Sequence, residues 1–170
     1  MTRSEVLVGR FDMLFRELGL ALDAAGASAR YEALLHHGYR FIPGAEELLR
    51  ELSARHDLYL ASNGVKSVQS SRIASAGIEP FFKGIFISEE IGAVKPQRAF
   101  FEACFARIPG FDPARALMVG DSLSSDIRGG INAGIITVWL NYNGKPGRED
   151  IVPDYEIRTI SELPALLEKL

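Results

Sequence analysis

Apolar positions recur with two different periods along the chain, and the change of period divides it into a helical beginning and a mixed remainder. Across 4–18 the apolar residues are spaced by three and four and stop at Gly19, which predicts an amphipathic helix with a glycine at its carboxyl end. A weaker pattern predicts a second helix over 28–38, and a third begins after Gly44. We expect the first two helices to pack as a hairpin.

Short apolar runs closed by polar turns follow the third helix and predict buried strands. They lie at 58–61, 84–87, 116–119 and 136–140, with a weaker run at 155–157. Helical patterns separate them at 65–76, 96–108, 125–133 and 161–170. Strands that alternate with helices form a parallel sheet, because each parallel connection needs a crossover long enough to hold a helix. We therefore predict an α/β fold with a doubly wound parallel sheet over 43–170, preceded by a helical part over 1–42.

Composition excludes several classes of protein. The 170 residues are 47% apolar, enough for a substantial core, and their net charge of -3 disfavours nucleic acid and anionic membranes as partners. No apolar run approaches the roughly 20 residues of a membrane span, and residues 1–5 lack the apolar core that is typical of a signal sequence. The single cysteine, Cys104, falls in an apolar helical pattern, so we predict that it packs in the core. We expect a soluble cytoplasmic protein that binds neither nucleic acid nor membrane.

Polar residues suited to a phosphate group follow the first two predicted strands, where open parallel sheets bind ligands. The first strand ends in Ser62-Asn63-Gly64. A hydroxyl, an amide and the first backbone N–H groups of the next helix hold phosphate oxygens. Lys95 precedes a proline at a helix start, where its ammonium neutralises charge on a transferring group without donating a proton. These residues predict a phosphate site, and a plain turn with a solvated helix start is the competing interpretation.

Carboxylates at the end of the third predicted strand suit a divalent cation. Asp121 follows Gly120 directly, and a carboxylate is a ligand that Mg²⁺ prefers. Asp126 is placed to accept a hydrogen bond from the lysine or from a metal-bound water. We predict a magnesium site at Asp121 and Asp126, with loop and helix capping as the alternative role of both. Glu89 and Glu90 lie either near that metal or in a solvated loop.

The motifs together resemble those of the haloacid dehalogenase-like hydrolases. They read Leu-Ala-Ser-Asn-Gly at 60–64, Gly-Ala-Val-Lys-Pro at 92–96 and Val-Gly-Asp-Ser-Leu-Ser-Ser-Asp at 119–126. The stretch 127–134, followed by Trp139-Leu140-Asn141, is most similar to the branch that dephosphorylates pyrimidine nucleoside monophosphates. The resemblance implies a magnesium-dependent phosphomonoester hydrolase whose substrate is a small phosphorylated metabolite, a nucleoside 5′-monophosphate. It implies that Ser62 and Lys95 hold the phosphoryl oxygens and that Asp121 completes the metal site.

The resemblance also implies an aspartate nucleophile within an Asp-x-Asp motif after a first strand, yet no Asp-x-Asp occurs in the 170 residues. We therefore expect residues 1–42 to be part of a helical cap and the first strand to be missing, through truncation, as a fragment or in a natural short form. In the family this strand lies between those at 58–61 and 116–119, so its loss leaves two unpaired edges facing a gap. Direct pairing of these two strands, a strand from another molecule, or the helix at 4–18 would close it.

Three functional hypotheses remain at this point. The first is a phosphomonoester hydrolase chain that lacks its nucleophile and is nearly inactive alone. The second is a non-catalytic module that binds phosphate or magnesium weakly, or that self-associates through its exposed sheet edges. The third is a relative of dehalogenases or phosphonatases, because those enzymes share serine, lysine and aspartate at the same places.

Overall fold

A computed structural model describes residues 3–35 and 39–170. Its α-helices are α1 (Arg3–Glu17), α2 (Ala24–Leu35), α3 (Ala45–Ser53), α4 (Lys66–Ala76), α5 (Ser88–Ile91), α6 (Arg98–Phe105), α7 (Arg128–Ala133) and α8 (Leu163–Leu167). Its strands are β1 (Tyr59–Ser62), β2 (Gly84–Ile87), β3 (Leu117–Gly120), β4 (Ile136–Leu140) and β5 (Tyr155–Ile157). A π-helical turn spans Leu123–Ile127, and 3-10 turns lie at Glu79–Phe81, Pro113–Arg115 and Ile160–Glu162.

The predicted strands are confirmed, and the helix limits differ by a few residues. Three strands have the predicted bounds, and β1 and β3 begin and end one residue later than predicted. The predicted helix over 125–133 is divided into a π-helical turn and α7, and the predicted loop after β2 contains α5. The end predicted for the second helix, at Gly38, lies outside the described residues. None of the helices in the described part of the chain combines the length and the apolar character needed to span a bilayer.

Every strand pair among the described residues is parallel, which confirms the predicted α/β class. β1 pairs with β2, and β4 lies between β3 and β5. No hydrogen-bonded ladder joins β1 to β3 within 3–35 and 39–170, so each keeps one unpaired edge, as predicted. Direct pairing of these two strands, one of the three ways of closing the gap, is therefore not observed. All residues of both strands are only half-buried, whereas four of the five residues of β4 are buried.

α1 and α2 form the predicted hairpin through aromatic contacts. The Phe11 ring meets the Tyr31 ring edge-on at a centroid distance of 5.8 Å and lies 6.0 Å from the Phe15 ring. Such aromatic pairs add about 0.5–1.5 kcal/mol each beyond their buried area. The packing of α1 on α2 gives no support to the alternative in which this helix fills the gap between β1 and β3.

Two apolar clusters lie on opposite faces of the strands, which form a two-stranded and a three-stranded sheet. Leu117 and Val119 of β3 pack with one cluster and Met118 with the other, because successive side chains of a strand point to opposite faces. The first cluster joins α3 and α8 to β4 and β5 through Leu48, Leu52, Leu163, Val138, Leu140 and Ile157. The second joins α6 to β2 through Phe100, Phe101, Cys104 and Phe86. Burial raises the pKa of the Cys104 thiol to about 11, in keeping with the predicted packing role.

Candidate functional site

The predicted site residues follow β1, β2 and β3 at the carboxyl edge of the sheet. Ser62 ends β1, and Gly120 at the end of β3 is followed directly by Asp121. β1 and β2 form one parallel sheet and β3, β4 and β5 form another. The carboxyl ends of β1 and β3 are brought together by Lys95, whose ammonium contacts both Ala61 and Asp126. Lys95, in the loop between α5 and α6, connects the residues after β1 with those after β3.

The Lys95 ammonium forms the centre of the site. Its Nζ donates to the Ala61 carbonyl oxygen at 2.6 Å and lies 2.8 Å from Asp126 Oδ1. The Lys95 and Asp126 side chains are 7% and 10% exposed, so the ion pair is nearly removed from water. Desolvation makes such a pair costly to break, since either partner left alone is a buried charge. The lysine contact predicted for Asp126 is therefore present.

Asn63 holds the backbone of Lys95 rather than leaving its amide open to a ligand. Its Oδ1 accepts from the Lys95 N–H at 2.8 Å, and its Nδ2 donates to the Lys95 carbonyl at 2.9 Å. A longer contact of 3.4 Å joins Nδ2 to Ser125 Oγ. The side chain that the sequence suggested as a phosphate ligand thus positions Lys95, and its donors are already engaged.

The π-helical turn after β3 directs Asp126 inward. The Ser122 carbonyl accepts from the N–H groups of both Asp126 and Ile127, and the bond to Ile127 has the wide spacing of a π-turn. Asp126 Oδ2 accepts from the Ser122 N–H at 3.2 Å, which leaves Oδ1 for Lys95. A Cβ on Gly120 would lie only 2.4 Å from Asp126 Cβ, so a side chain at position 120 would displace this carboxylate. Both oxygens of Asp126 are therefore engaged within the protein.

Asp121, in contrast, presents a carboxylate that makes no hydrogen bond or ion pair with residues 3–35 and 39–170. Its side chain is exposed, and its backbone carbonyl accepts from Trp139 Nε1 at 3.1 Å. Trp139 is 2% exposed and packs with Ile127 and Ile151, so the indole fixes the loop that carries the carboxylate. The partner of this hydrogen bond lies 18 residues away in the chain, so the sequence around Trp139 gives no signal for it.

Of the two carboxylates predicted to bind magnesium, only that of Asp121 is available to a metal ion. Within the described chain no three histidine, cysteine or acidic side chains converge on one point. Magnesium in phosphate-transfer sites is held by one or two carboxylates, with the remaining positions taken by waters and substrate oxygens. The unengaged Asp121 carboxylate meets that requirement, whereas the Asp126 oxygens already accept from Lys95 and the Ser122 N–H.

The Ser62 hydroxyl is half-buried at the end of β1 and forms no hydrogen bond with the described residues, so it can donate to a ligand. Gly64 is tied instead to Ser88, whose Oγ accepts from the Gly64 N–H at 3.0 Å and donates to its carbonyl at 3.3 Å. Ser88 was not among the predicted site residues. Its position directly after a strand, at the first residue of α5, is the signal that would have singled it out.

Glu89 and Glu90 contact the start of α4. Glu89 Oε2 accepts from the Lys66 N–H at 2.8 Å, and Glu90 Oε1 lies 2.7 Å from Lys66 Nζ. The hydrogen bond and charge of Glu90 raise the pKa of Lys66. The first N–H of α4, expected from the sequence to face a phosphate, is therefore taken by a carboxylate of the protein.

Comparisons with known proteins show the family of the chain. A model of the haloacid dehalogenase-like hydrolase family matches residues 3–134. The chain is 42% identical over 167 residues to the HAD-hydrolase YfnB of Bacillus subtilis, covering 98% of this chain and 71% of YfnB. It is 36% identical over 170 residues to the pyrimidine 5′-nucleotidase PynA of Streptococcus pneumoniae, covering 99% of this chain and 72% of PynA. A crystal structure of YfnB bound to magnesium superposes with a TM-score of 0.92 and covers 98% of this chain and 73% of YfnB. The chain therefore belongs to the haloacid dehalogenase-like hydrolases.

Proposed function

We propose that this site binds the phosphoryl group of a nucleoside 5′-monophosphate together with Mg²⁺, as part of a phosphomonoester hydrolase. The observation that supports this most directly is the buried Lys95 ammonium, which contacts Ala61 and Asp126. Ser62 follows Ala61 directly, and Asp121 precedes the turn that carries Asp126. A cation, a hydroxyl donor and a hard oxygen ligand at one strand edge are the groups that a phosphate with its magnesium requires.

The number of protons on Lys95 supports a phosphate contact. An ammonium carries three donors, and here two are directed to the Ala61 carbonyl and the Asp126 carboxylate. One donor remains for a phosphoryl oxygen, and the Ser62 hydroxyl supplies a second. Asp126 and Asn63 act as positioning residues, since one holds the ammonium and the other holds the backbone that carries it.

Asp121 would hold the magnesium ion, which neutralises charge on the phosphoryl oxygens when it is bound. Trp139 stabilises the same loop, because its indole donates a hydrogen bond to the Asp121 carbonyl and so restricts the backbone of Asp121. The relatives named nucleotidases support the substrate class. A cavity of about 710 Å³ next to Asn63 and Gly64 has room for the rest of a nucleotide.

No Asp-x-Asp motif occurs in the 170 residues, so we propose that this chain binds the phosphoryl group without turning it over. Among residues 3–35 and 39–170, the side chains around Lys95 include no carboxylate available for attack, since Asp126 is paired and Asp121 is assigned to the metal. The purified chain should therefore hydrolyse p-nitrophenyl phosphate no faster than buffer. Hydrolysis at an enzymatic rate that is lost in Asp121→Ala would show that the nucleophile has been misassigned.

Binding provides the positive test. Trp139 is the single tryptophan and bonds to the Asp121 loop, so its fluorescence should respond to Mg²⁺ and to inorganic phosphate. Asp121→Asn should abolish the response to Mg²⁺, and Ser62→Ala should weaken phosphate binding. Asp57→Asn is the matched control, because this exposed aspartate precedes β1 at the opposite edge of the sheet. An equal magnesium response in Asp121→Asn and Asp57→Asn would refute the metal assignment.

A further inference from the structure

The cavity beside the phosphate site has a wall from the α/β part and a wall from the helical hairpin. Asn63 and Gly64 line the end next to the phosphate site, and Tyr31 and Leu35 of α2 line another side. Tyr31 is about 45% exposed, and its ring packs against the Phe11 ring. An aromatic side chain therefore lines the cavity from a position that Phe11 stabilises.

One face of α4 runs along this cavity, away from the phosphate end. Val68, Gln69 and Arg72 line it, and their spacing of one and three residues places them on a single helical face, while Val65 lines it directly before the helix begins. The six steps from Lys66, the first residue of α4, to Arg72 correspond to about 9 Å of helix axis. A ligand whose phosphate lies beside Ser62 would thus extend along this face toward Arg72.

Two polar side chains on that face have hydrogen-bonding groups available to a ligand. Arg72 makes no ion pair or hydrogen bond with residues 3–35 and 39–170, and it is the only basic residue among the described residues that line the cavity. Gln69 lies across Gly64, since a Cβ on that glycine would be 2.7 Å from Gln69 Nε2. The absence of a side chain at position 64 therefore lets the Gln69 carboxamide lie over the end of the cavity nearest the phosphate.

We propose that Gln69 and Arg72 form the subsite for the leaving group and select a pyrimidine base, an inference that rests on the proposed function. A carboxamide pairs with the adjacent donor and acceptor of a pyrimidine edge, and a guanidinium donates to its carbonyl oxygens. The Tyr31 ring offers a face on which the base stacks. Specificity then resides in α4 of the α/β part as well as in the helical hairpin.

The test compares ligands that share the phosphate and differ in the leaving group. Binding of UMP, ribose 5-phosphate and inorganic phosphate to the purified chain in the presence of Mg²⁺ is measured by calorimetry. The wild type should bind UMP about tenfold more tightly than ribose 5-phosphate, as a charged hydrogen bond predicts. Arg72→Met should remove most of that preference and leave ribose 5-phosphate and inorganic phosphate within about twofold of wild type. Arg72→Lys should restore it only in part, because it keeps the charge and loses the planar fork.

Arg115→Met is the matched control, because Arg115 is an exposed arginine that precedes β3 at the opposite edge of the sheet. It should leave all three affinities unchanged. Equal UMP affinity in Arg72→Met and wild type, with phosphate still bound, would overturn this inference and leave the proposed function intact. A parallel loss of all three ligands would also overturn it, because Arg72 would then act on the phosphate.

Two further outcomes are decisive. Absence of phosphate binding in the wild type would refute the proposed function and this inference together. A sugar-acid phosphate such as 6-phosphogluconate that binds more tightly than UMP, with the difference lost in Arg72→Met, would overturn the base assignment in favour of a carboxylate at Arg72.

Discussion

The buried contact between Lys95 and Asp126 leads to a quantitative prediction about stability. Lys95→Met keeps the length of the side chain and removes its charge, so the Asp126 carboxylate and the Ala61 carbonyl each lose a donor. Breaking a buried ion pair by removing one partner costs about 3–5 kcal/mol. We therefore expect the free energy of unfolding of Lys95→Met to fall by about that amount.

Equilibrium urea unfolding at neutral pH measures this change. With a slope of about 2 kcal/mol per molar urea, the midpoint should fall by roughly 1.5–2.5 M. Asp126→Asn leaves the ammonium without its counter-charge and should be similarly unstable. The double variant should lose at least about 2 kcal/mol less than the sum of the single losses, because the two residues form one interaction.

The control is an ion pair of equal length at the surface. Arg98 Nε and Glu102 Oε1 are also 2.8 Å apart, but their side chains are 74% and 61% exposed. Arg98→Met should cost less than about 1 kcal/mol, since exposed pairs are screened by water. Equal losses in Arg98→Met and Lys95→Met, or strictly additive losses for Lys95 and Asp126, would refute the conclusion that burial makes this contact strong.

Three other predictions concern packing, reactivity and pH. Gly120→Ala should cost about 1–3 kcal/mol in the urea assay, because its Cβ would overlap Asp126, and an unchanged midpoint would contradict the close contact. Cys104 should resist a thiol reagent at mildly alkaline pH until urea unfolds the chain, because burial raises its pKa to about 11, and rapid native labelling would exclude a buried thiol. Hydrogen bonds donated by the backbone N–H groups of Thr159 and Arg158 lower the pKa of the Glu162 carboxyl below its usual value of 4.5. The ionised carboxylate therefore stabilises the folded chain above the pKa that Glu162 has in the unfolded chain, and this stabilisation is lost as pH falls through the pKa of the folded state. The loss in free energy of unfolding caused by Glu162→Gln should therefore become smaller below about pH 4, and a loss independent of pH would contradict this prediction.

Local patterns predicted the strands well because an apolar run between polar turns is a short-range signal. They missed α5, because no helix was predicted between the strand at 84–87 and the helix at 96–108. This four-residue helix is held by partners distant in sequence, since Ser88 bonds to Gly64 and Glu89 to the start of α4. A partner more than twenty residues away leaves no periodicity in the segment itself.

The same limit applies within the candidate site. The motif at 119–126 predicted an ordinary helix start, whereas the structure has a π-helical turn that places Asp126 against Lys95. Asn63 was predicted to contact phosphate, and its amide instead binds the backbone of Lys95, 32 residues away. The chemical types at the strand ends were evident from the sequence, but their division into positioning groups and ligand-facing groups was not.

The sequence by itself determined the order of strands and helices, the polar residues at the strand ends and the absence of an Asp-x-Asp motif. These properties depend on residue type and on spacing over a few positions. Which donors and acceptors are already satisfied depends on the tertiary structure, and within residues 3–35 and 39–170 the side chains of Ser62, Asp121 and Arg72 have no hydrogen-bond or ion-pair partner. The tertiary structure also showed that β1 and β3 remain unpaired with each other. Each N–H or O–H group donates one hydrogen bond, and its acceptor depends on which chain segments folding brings together.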